Sequence, residues 1–415
     1  MGSRPTALIV LGMHRSGTSA VAGCVQLLGV DLGGPLLPAN YANERGYFEL
    51  AEIVAIHDEF LREFGIAALD VGSLPAGWER TPAAEKVRER LREVLIRNFG
   101  KAPLWALKDP RICLLLPLWR PLLEELGVAP RFLLVFRRPW EVVESLRTRD
   151  DLTTWEALDI WRRHSSAAEL ETRGAERAVL TYDELLETPE IVLGRVAERL
   201  AIEWPRDLSS SSAEIRLFLD RSLRHHRTIE PPADLPREVF SAVRSLARAL
   251  SELKRSDADA AWKRIDRSKS ECEGRLFSIR PAEIPSAHVT TRDRVRWIDV
   301  PPPVVLRPGE ARKVRVTFRN DGEASLLRRA LFVSYHWREP EPPFRVVTWD
   351  GLRTPVGRAL DPEEEWSGDL AVVAPVEPGD YLLEVDLVRE GVVWFANLGV
   401  TAPMSEARVS SRPFE

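Results

Sequence analysis

The sequence predicts an α/β protein in two parts. Residues 1–275 are expected to form a three-layer α/β/α domain with a parallel sheet and a phosphate-binding loop, and residues 276–415 an all-β antiparallel sandwich. Three observations predict this. A strand, a glycine loop and a helix follow one another between Ala7 and Leu28. Further strands alternate with helices, which is typical of parallel βαβ units. After about Phe277, short β-branched runs recur between turn signals.

Composition limits the class of protein. A chain of 415 residues exceeds what one hydrophobic core usually serves. A net charge of -5 disfavours a nucleic-acid partner. The N-terminus lacks a signal-peptide pattern, and no apolar stretch approaches the ~20 residues that span a bilayer, so a cytoplasmic protein without a membrane span is expected. The three cysteines have neither metal-ligand spacing nor the even number of a disulfide framework: Cys24, Cys113 and Cys272.

The first strand, Leu8–Leu11, leads into a compact loop and the start of a helix. Together these read Gly12-Met13-His14-Arg15-Ser16-Gly17-Thr18-Ser19. Glycines let the backbone approach an anion, and the N–H groups at a helix start donate to its oxygens. The hydroxyls of Ser16, Thr18 and Ser19 add donors. A strand–turn–helix with incidental glycines is the alternative interpretation.

The loop differs from that of a nucleoside triphosphatase. Gly12 and Gly17 have the Walker spacing, but Thr18 stands where that motif has a lysine. The cation lies inside the loop instead, at Arg15. A guanidinium can clamp a phosphate or a sulfate bidentately without a metal ion.

A helix is predicted over Ala51–Phe64, and Glu49 comes at or just before its start. A carboxylate is favoured at that position in any helix, so Glu49 is either a first-turn acid or a general base beside a cleft. His57, on the same helix, is the reserve candidate for the base.

The next strand, Pro103–Leu107, follows a charged amphipathic helix over Thr81–Phe99 and ends in Lys108-Asp109-Pro110-Arg111. Ligands gather at strand ends in open α/β sheets. A turn with a surface ion pair is the alternative. Asp109 could also be a Walker-type metal ligand, which keeps a nucleoside triphosphatase open.

The third strand, Arg131–Phe136, ends in two arginines and leads through Pro139 into a helix over Trp140–Thr148. Arginine at a strand end suits a phosphate rather than a magnesium ion. Ser145 follows Arg137 by eight residues, which places both near one end of the strand–helix unit.

The segments that follow predict a helix, a strand and a second helix: Asp151–Thr172, Ala178–Leu180 and Pro189–Leu200. A serine-rich loop, Ser209–Ser212, precedes a basic cluster that contains Arg224. This cluster is either a lid over a nucleotide or an exposed basic turn. Helical pattern then continues over Pro236–Ile265.

From about Thr6 to Arg227, these motifs resemble the bacterial sulfotransferases that use 3′-phosphoadenosine 5′-phosphosulfate (PAPS). The loop around Arg15 resembles their 5′-phosphosulfate loop. The other matching segments are Gly46-Tyr47-Phe48-Glu49, Lys108-Asp109-Pro110-Arg111, the pair Arg137 and Ser145 of the 3′-phosphate signature, and Tyr182-Asp183-Glu184-Leu185, which is similar to the part that approaches adenine.

The resemblance implies a role for each matching residue and no metal requirement. It implies Glu49 as the base, and Lys108 and Arg15 as the cations that neutralise developing charge. Tyr182 would stack on adenine, with a packing tyrosine as the alternative. The residues expected to bind the cofactor are His14, Arg15, Ser16, Gly17, Thr18, Ser19, Arg137, Ser145, Tyr182 and Arg224.

The C-terminal part resembles immunoglobulin-like accessory modules. In one strand Val314, Val316 and Phe318 alternate with polar residues. Trp349, Trp366 and Trp394 are either a sugar-stacking platform or core residues. The predicted strands are Val295–Val300, Ala311–Asn320, Ala330–Trp337, Val346–Trp349, Trp366–Val373, Gly379–Val388 and Val392–Ala396.

The expected function is transfer of the sulfuryl group of PAPS to an acceptor hydroxyl, on a glycan or a glycosylated metabolite, with 3′,5′-diphosphoadenosine as the product. Two alternatives stay open. One is a P-loop kinase or nucleoside triphosphatase, and the other is a non-catalytic glycan-binding scaffold with a degenerate nucleotide fold.

Overall fold

The computed structural model describes residues 4–39, 43, 45–64, 74–150, 152–219, 235–255, 257–278, 294–322, 326, 331–342, 344–348, 351–389, 393–398 and 400–411. They divide into two compact units. The first holds most described residues through Ser278, and the second holds those from Arg294 onward. The predicted boundary after residue 275 falls inside the last helix of the first unit, Asp259–Ser278.

The first unit contains a four-stranded parallel sheet: β1 (Thr6–Leu11), β2 (Leu104–Lys108), β3 (Ala129–Phe136) and β4 (Arg177–Thr181). Its strand order is β2-β1-β3-β4. Val10 of β1 is in register with Lys108 of β2 and Leu133 of β3. The carboxyl ends of these strands, and the loops that follow them, therefore meet at one edge of the sheet.

Helices accompany this sheet, so the α/β class is confirmed. Leu8 and Val10 pack in a hydrophobic cluster with residues of four of these helices, while Ile9 and Leu11 on the opposite face of β1 are equally buried. Burial on both faces explains the unbroken apolar run of β1. The helices are α1 (Thr18–Leu27), α2 (Ala51–Glu63), α3 (Pro82–Phe99), α4 (Ile112–Glu125), α5 (Pro139–Asp150), α6 (Thr154–Glu171), α7 (Tyr182–Glu187), α8 (Pro189–Leu200), α9 (Leu208–Phe218), α10 (Arg237–Glu252) and α11 (Asp259–Ser278).

One prediction in this unit needs correction, one is refined, and one helix was not predicted. The serine-rich segment 209–212 lies in the first turn of α9, because Asp207 caps that helix by accepting a hydrogen bond from the Ser210 N–H (3.0 Å). The helical pattern after residue 236 forms two helices, α10 and α11. Helix α4 was not predicted because it contains Pro117 and Pro121, which usually interrupt helices.

The second unit consists mainly of antiparallel strands. One sheet has the order β10-β8-β12-β14-β6, with β13 beside β12 and β9 beside β8, and the other has the order β11-β7-β5. Only the β14–β6 pair is parallel among the described pairs. The strands are β5 (Val295–Asp299), β6 (Val304–Leu306), β7 (Ala311–Asn320), β8 (Leu331–Arg338), β9 (Val346–Thr348), β10 (Thr354–Pro355), β11 (Glu365–Val373), β12 (Gly379–Arg389), β13 (Val393–Trp394) and β14 (Met404–Val409).

One hydrophobic core contains side chains from both sheets, among them Phe318, Trp337 and Leu383. The strands with clear alternation were predicted within a residue or two. The predicted strand Val392–Ala396 is only partly correct, because the chain turns into a 3-10 helix at Phe395–Leu398. Strands β6, β10 and β14 were not predicted. No helix in the described part of the chain is long and apolar enough to cross a membrane.

Candidate anion-binding and acid–base site

The loop after β1 turns through two left-handed residues, Arg15 (φ 67°) and Gly17 (φ 92°). Gly17 must be glycine for a second reason. A Cβ atom there would lie 2.3 Å from the ring of Tyr182, which follows β4. Gly17 is also the N-cap of α1 and has no side chain that could accept from the first-turn N–H groups. A helix start of this kind presents its N–H groups to an anion.

Gly12 brings the other end of the loop against β3. A Cβ atom at Gly12 would lie 2.6 Å from the carbonyl oxygen of Val135. The Gly12 N–H donates to the sulfur of Cys113 on α4 (3.2 Å). Burial raises the pKa of the Cys113 thiol to about 12, so this sulfur stays protonated and inert at neutral pH. The glycine spacing in the sequence thus reflects close packing at both ends of the loop.

Three of the residues predicted for the two phosphates form one cluster. Arg15 Nε donates to Ser145 Oγ on α5 (2.8 Å), and Arg137 Nη1 donates to the Arg15 carbonyl oxygen (2.9 Å). The Arg137 guanidinium lies 5.1 Å from the ring centroid of Tyr182. The loop, the end of β3, helix α5 and the residue after β4 therefore meet at one place.

Glu141, which the sequence analysis missed, orients Arg137. Its carboxylate is fully buried on α5 and accepts from Arg137 Nε at 2.8 Å. The spacing from Arg137 to Glu141 is i to i+4, which in retrospect is a signal for such a pair. Arg138, the second arginine, pairs with Asp183 (2.9 Å), lies 3.8 Å from Glu141 Oε1 and is 46% exposed. The two arginines that end β3 thus have different surroundings.

A cavity of about 330 Å³ opens beside Arg137. It lies between the ends of β3 and β4 on one side and helix α10 on the other. Its lining combines cationic and aromatic side chains, among them Arg137, Arg138, Trp140, Trp161, Arg244 and Arg248. Such a lining suits an anion that carries a ring.

Glu49 and Lys108 form a buried ion pair, and each residue is 4% exposed. Lys108 Nζ also donates to the carbonyl oxygen of Tyr47 (3.1 Å), and Ser19 Oγ on α1 donates to the same oxygen (3.3 Å). The acid–base pair is therefore joined to the start of α1 through one carbonyl group. Burial raises the pKa of the Glu49 carboxyl, and the Lys108 ammonium opposes that shift.

A second group of charged side chains adjoins this pair through Arg111. Arg111 forms a bidentate pair with Asp58 (2.6 and 3.2 Å), donates to Asp109 Oδ1 (3.0 Å) and lies 3.7 Å from Glu49 Oε2. Burial disfavours ionisation of Asp109, but Arg111 and His57 outweigh it and hold the pKa of that carboxyl well below its usual range. For Asp58, burial raises the pKa.

The geometry argues against His57 as the base. Its ring is fully buried, Trp119 Nε1 donates to its Nε2 (3.0 Å), and its Nδ1 lies 2.7 Å from Asp109 Oδ2. Both ring nitrogens are thus engaged within the protein, and no lone pair is directed at the loop. Glu49 remains the candidate.

His164 on α6 is a further buried group, and it lies within the helix predicted over Asp151–Thr172. It lies beside the loop, 6.1 Å from the ring centroid of His14. Its Nδ1 donates to the Ile160 carbonyl oxygen (3.0 Å), and burial lowers its pKa to about 4. The residue is therefore a neutral imidazole at physiological pH.

The remaining candidates lie elsewhere. Arg224 is outside the described residues, and so is Trp349. Trp366 packs against Phe318 in the core of the second unit, with ring centroids 5.5 Å apart. Trp394 lies against His336 (4.0 Å) and is covered by the Arg353 guanidinium (4.7 Å). The core interpretation therefore fits Trp366. Among the described residues, no group of three or more histidine, cysteine or acidic side chains is arranged to hold a metal ion.

No family model matches the sequence, and no curated protein matches it. Among solved structures, the chain is similar to the sulfotransferase domain from the curacin biosynthetic pathway (15% identity, TM-score 0.31, 65% of this chain and 99% of that one). It is also similar to the sulfotransferase domain of the Synechococcus PCC 7002 olefin synthase (18%, 0.29, 65% and 95%). A third neighbour is a sulfotransferase from Mycobacterium avium (17%, 0.30, 55% and 70%).

Proposed function

We propose that the protein is a sulfotransferase that moves the sulfuryl group of PAPS to an acceptor hydroxyl, on a glycan or a glycosylated metabolite. One observation carries the proposal. The start of α1 follows directly on the guanidinium cluster of Arg15 with Ser145 and Arg137. Through Ser19 and the Tyr47 carbonyl, the same helix start is joined to the buried carboxylate–ammonium pair of Glu49 with Lys108. Anion binding and proton transfer can therefore act on one substrate group.

The donor would lie along the loop and the end of β3. The N–H groups at the start of α1, with Arg15 and the loop hydroxyls, would hold the 5′-phosphosulfate. Arg137 and Ser145 would hold the 3′-phosphate, and Tyr182, next to both, would face the base. Arg137 supports this placement because it touches the loop carbonyl and lines the cavity at once.

In the transfer step, the acceptor oxygen forms a bond to sulfur while the bond from sulfur to the bridging phosphate oxygen breaks. Glu49 takes the proton of the acceptor hydroxyl, a role typically worth ~10²–10⁴ in rate. Lys108 and Arg15 neutralise charge that grows on the bridging oxygen and the sulfuryl oxygens. The ion pair seen in this structure holds Glu49 close to Lys108, and the ammonium opposes the rise in the pKa of Glu49 that burial causes, until donor and acceptor are held in line.

Calorimetric titration tests the proposal. The protein is titrated with 3′,5′-diphosphoadenosine without metal and, separately, with ATP and Mg²⁺. We expect micromolar binding of the diphosphate without metal. Tight binding of Mg²⁺–ATP with no response to the diphosphate would favour the kinase alternative. No binding of either would favour the scaffold, and sugars would then be the ligands to titrate.

A further inference from the structure

A chain of hydrogen bonds runs from helix α4 to Glu49. Trp119 on α4 donates to His57 on α2, and His57 meets Asp109 Oδ2. Asp109 Oδ1 accepts from both the backbone N–H and Nη1 of Arg111 (3.0 Å each). Arg111 then lies 3.7 Å from Glu49 Oε2. Every link in this chain is buried or nearly so.

The hydrogen bonds fix the protonation of His57. Trp119 Nε1 can only donate, so His57 Nε2 must carry a lone pair. The proton of the neutral ring is then on Nδ1, where it donates to Asp109. His57 therefore satisfies the one oxygen of Asp109 that Arg111 does not reach, and the orientation of the carboxylate is determined from both sides.

We infer that His57 is a positioning residue: by holding Asp109 it holds Arg111 beside Glu49. The inference rests on the proposed function insofar as Glu49 is the base of that reaction. Without the Nδ1–H of His57, the buried Oδ2 atom of Asp109 would lose the hydrogen bond that it accepts in this structure. The carboxylate would then turn and release Arg111 toward Asp58 alone.

The charges around Glu49 make its ionisation sensitive to this arrangement. Lys108 faces it from the end of β2, and Asp109 and Arg111 act on it from the turn that follows. Asp58 and His57, both on α2, contact Arg111 and Asp109 instead. With His57 neutral, three carboxylates (Glu49, Asp58 and Asp109) face two cations (Lys108 and Arg111). Moving Arg111 away from Glu49 would leave the carboxylate less compensated, so its titration would shift to higher pH.

Two variants of His57 separate its two contacts. In His57→Asn, the amide N–H occupies the place of Nδ1 and keeps a donor to Asp109. In His57→Gln, the amide lies near the place of Nε2, so the contact with Trp119 is retained and the donor to Asp109 is lost. Both variants remove the imidazole, and comparable melting temperatures would show that both fold.

The readouts are affinity for 3′,5′-diphosphoadenosine, the rate of sulfate release from PAPS with water as acceptor, and the pH dependence of that rate. We expect His57→Asn to resemble wild type. We expect the rate of His57→Gln to fall about 10²-fold, as for a misplacement of a catalytic group by about 1 Å. Its affinity for the diphosphate should be unchanged, and the acidic side of its pH–rate profile should shift to higher pH.

Equal losses of rate in both variants, in step with their melting temperatures, would overturn the inference and leave His57 a packing residue. Loss of all activity in His57→Asn with normal His57→Gln would also overturn it. If wild type neither binds the diphosphate nor releases sulfate, the proposed function fails by itself. In that case, ¹⁵N NMR of the histidine rings decides whether His57 donates to Asp109. A proton on Nε2 of His57 would refute this hydrogen bond.

Discussion

At the scale of single residues, Glu49 is the group on which turnover depends. Glu49→Gln keeps the shape of the side chain and a polar contact to Lys108 but cannot accept a proton. We expect turnover to fall ~10²–10⁴-fold while the affinity for 3′,5′-diphosphoadenosine changes little. The measurements are sulfate release from PAPS and calorimetry.

Glu52→Gln is the matched control, because Glu52 lies one turn away on α2, is half exposed and pairs with Arg97. It should leave both quantities unchanged. Normal turnover in Glu49→Gln would remove Glu49 as the base. Since the geometry also argues against His57, the search would then move to other buried groups beside the loop, such as His164.

The pH dependence of turnover follows from the surroundings of Glu49. Burial raises the pKa of its carboxyl, and only the ionised form can accept a proton. The rate should therefore rise with pH through a value above the ordinary range of a glutamate, roughly 4.3. Lys108→Gln removes the cation that opposes this shift, so its acid limb should lie at still higher pH. If the rate instead rose with pH in the ordinary range of a glutamate, and Lys108→Gln did not move that rise, Glu49 would not be the base.

The sequence could identify some of these residues but not their relations. Glu49, Lys108 and Arg137 were chosen as candidates because each ends a strand or precedes a helix in a recognisable segment. The contacts of His57 with Trp119 and Asp109 join residues 62 and 52 positions apart, respectively. No local pattern encodes such contacts, and for this reason His57 was placed among the candidate bases.

At the scale of elements, the loop depends on a close approach between Gly17 and Tyr182. Gly17→Ala would introduce a Cβ atom 2.3 Å from the tyrosine ring at a φ of 92°. The loop must shift, so the affinity for 3′,5′-diphosphoadenosine should fall at least about tenfold, which corresponds to about 1.4 kcal/mol. Calorimetric titration measures this loss.

Gly127 provides the control for backbone strain. It also has a positive φ (67°), but a Cβ atom there would meet nothing within 4 Å. Gly127→Ala should cost about 1–2 kcal/mol in stability, as expected for a left-handed residue, and leave diphosphate binding unchanged. Equal binding by Gly17→Ala and wild type would mean that the loop does not hold the donor.

Elements were predicted from the sequence where one physical signal dominated. Strands β1 and β3 have apolar runs because they are buried on both faces, and β7 alternates because only one face is buried. Helix α4 was missed because the burial of Leu115, Trp119 and Leu122 outweighs the cost of its two prolines, which local propensity cannot express. Strands β6 and β10 are two or three residues long and carry almost no periodicity.

At the scale of the whole molecule, each of the two compact units has buried hydrophobic clusters of its own among the described residues. The residues proposed to bind the donor all belong to the first unit. The sequence indicated the change of structure near residue 277 through its proline content and β-branched runs. A function for the second unit did not follow, because a β-rich fold does not by itself define a ligand.

Separate cores predict separate responses to ligand. In scanning calorimetry we expect two transitions, of which only that of the first unit moves when 3′,5′-diphosphoadenosine is added. At a ligand concentration of 100 times Kd, the expected stabilisation is about 2.7 kcal/mol.

Trp337→Ala tests the independence of the second unit. Trp337 is fully buried in the core of that unit and donates to the Val373 carbonyl oxygen (2.8 Å), so the substitution should lower the free energy of unfolding of the second unit by about 3–5 kcal/mol. The response of the first unit to the ligand should stay intact. If the diphosphate raised both transitions together, or if Trp337→Ala abolished the response, donor binding would depend on the second unit, and the site would extend beyond the sheet edge of the first.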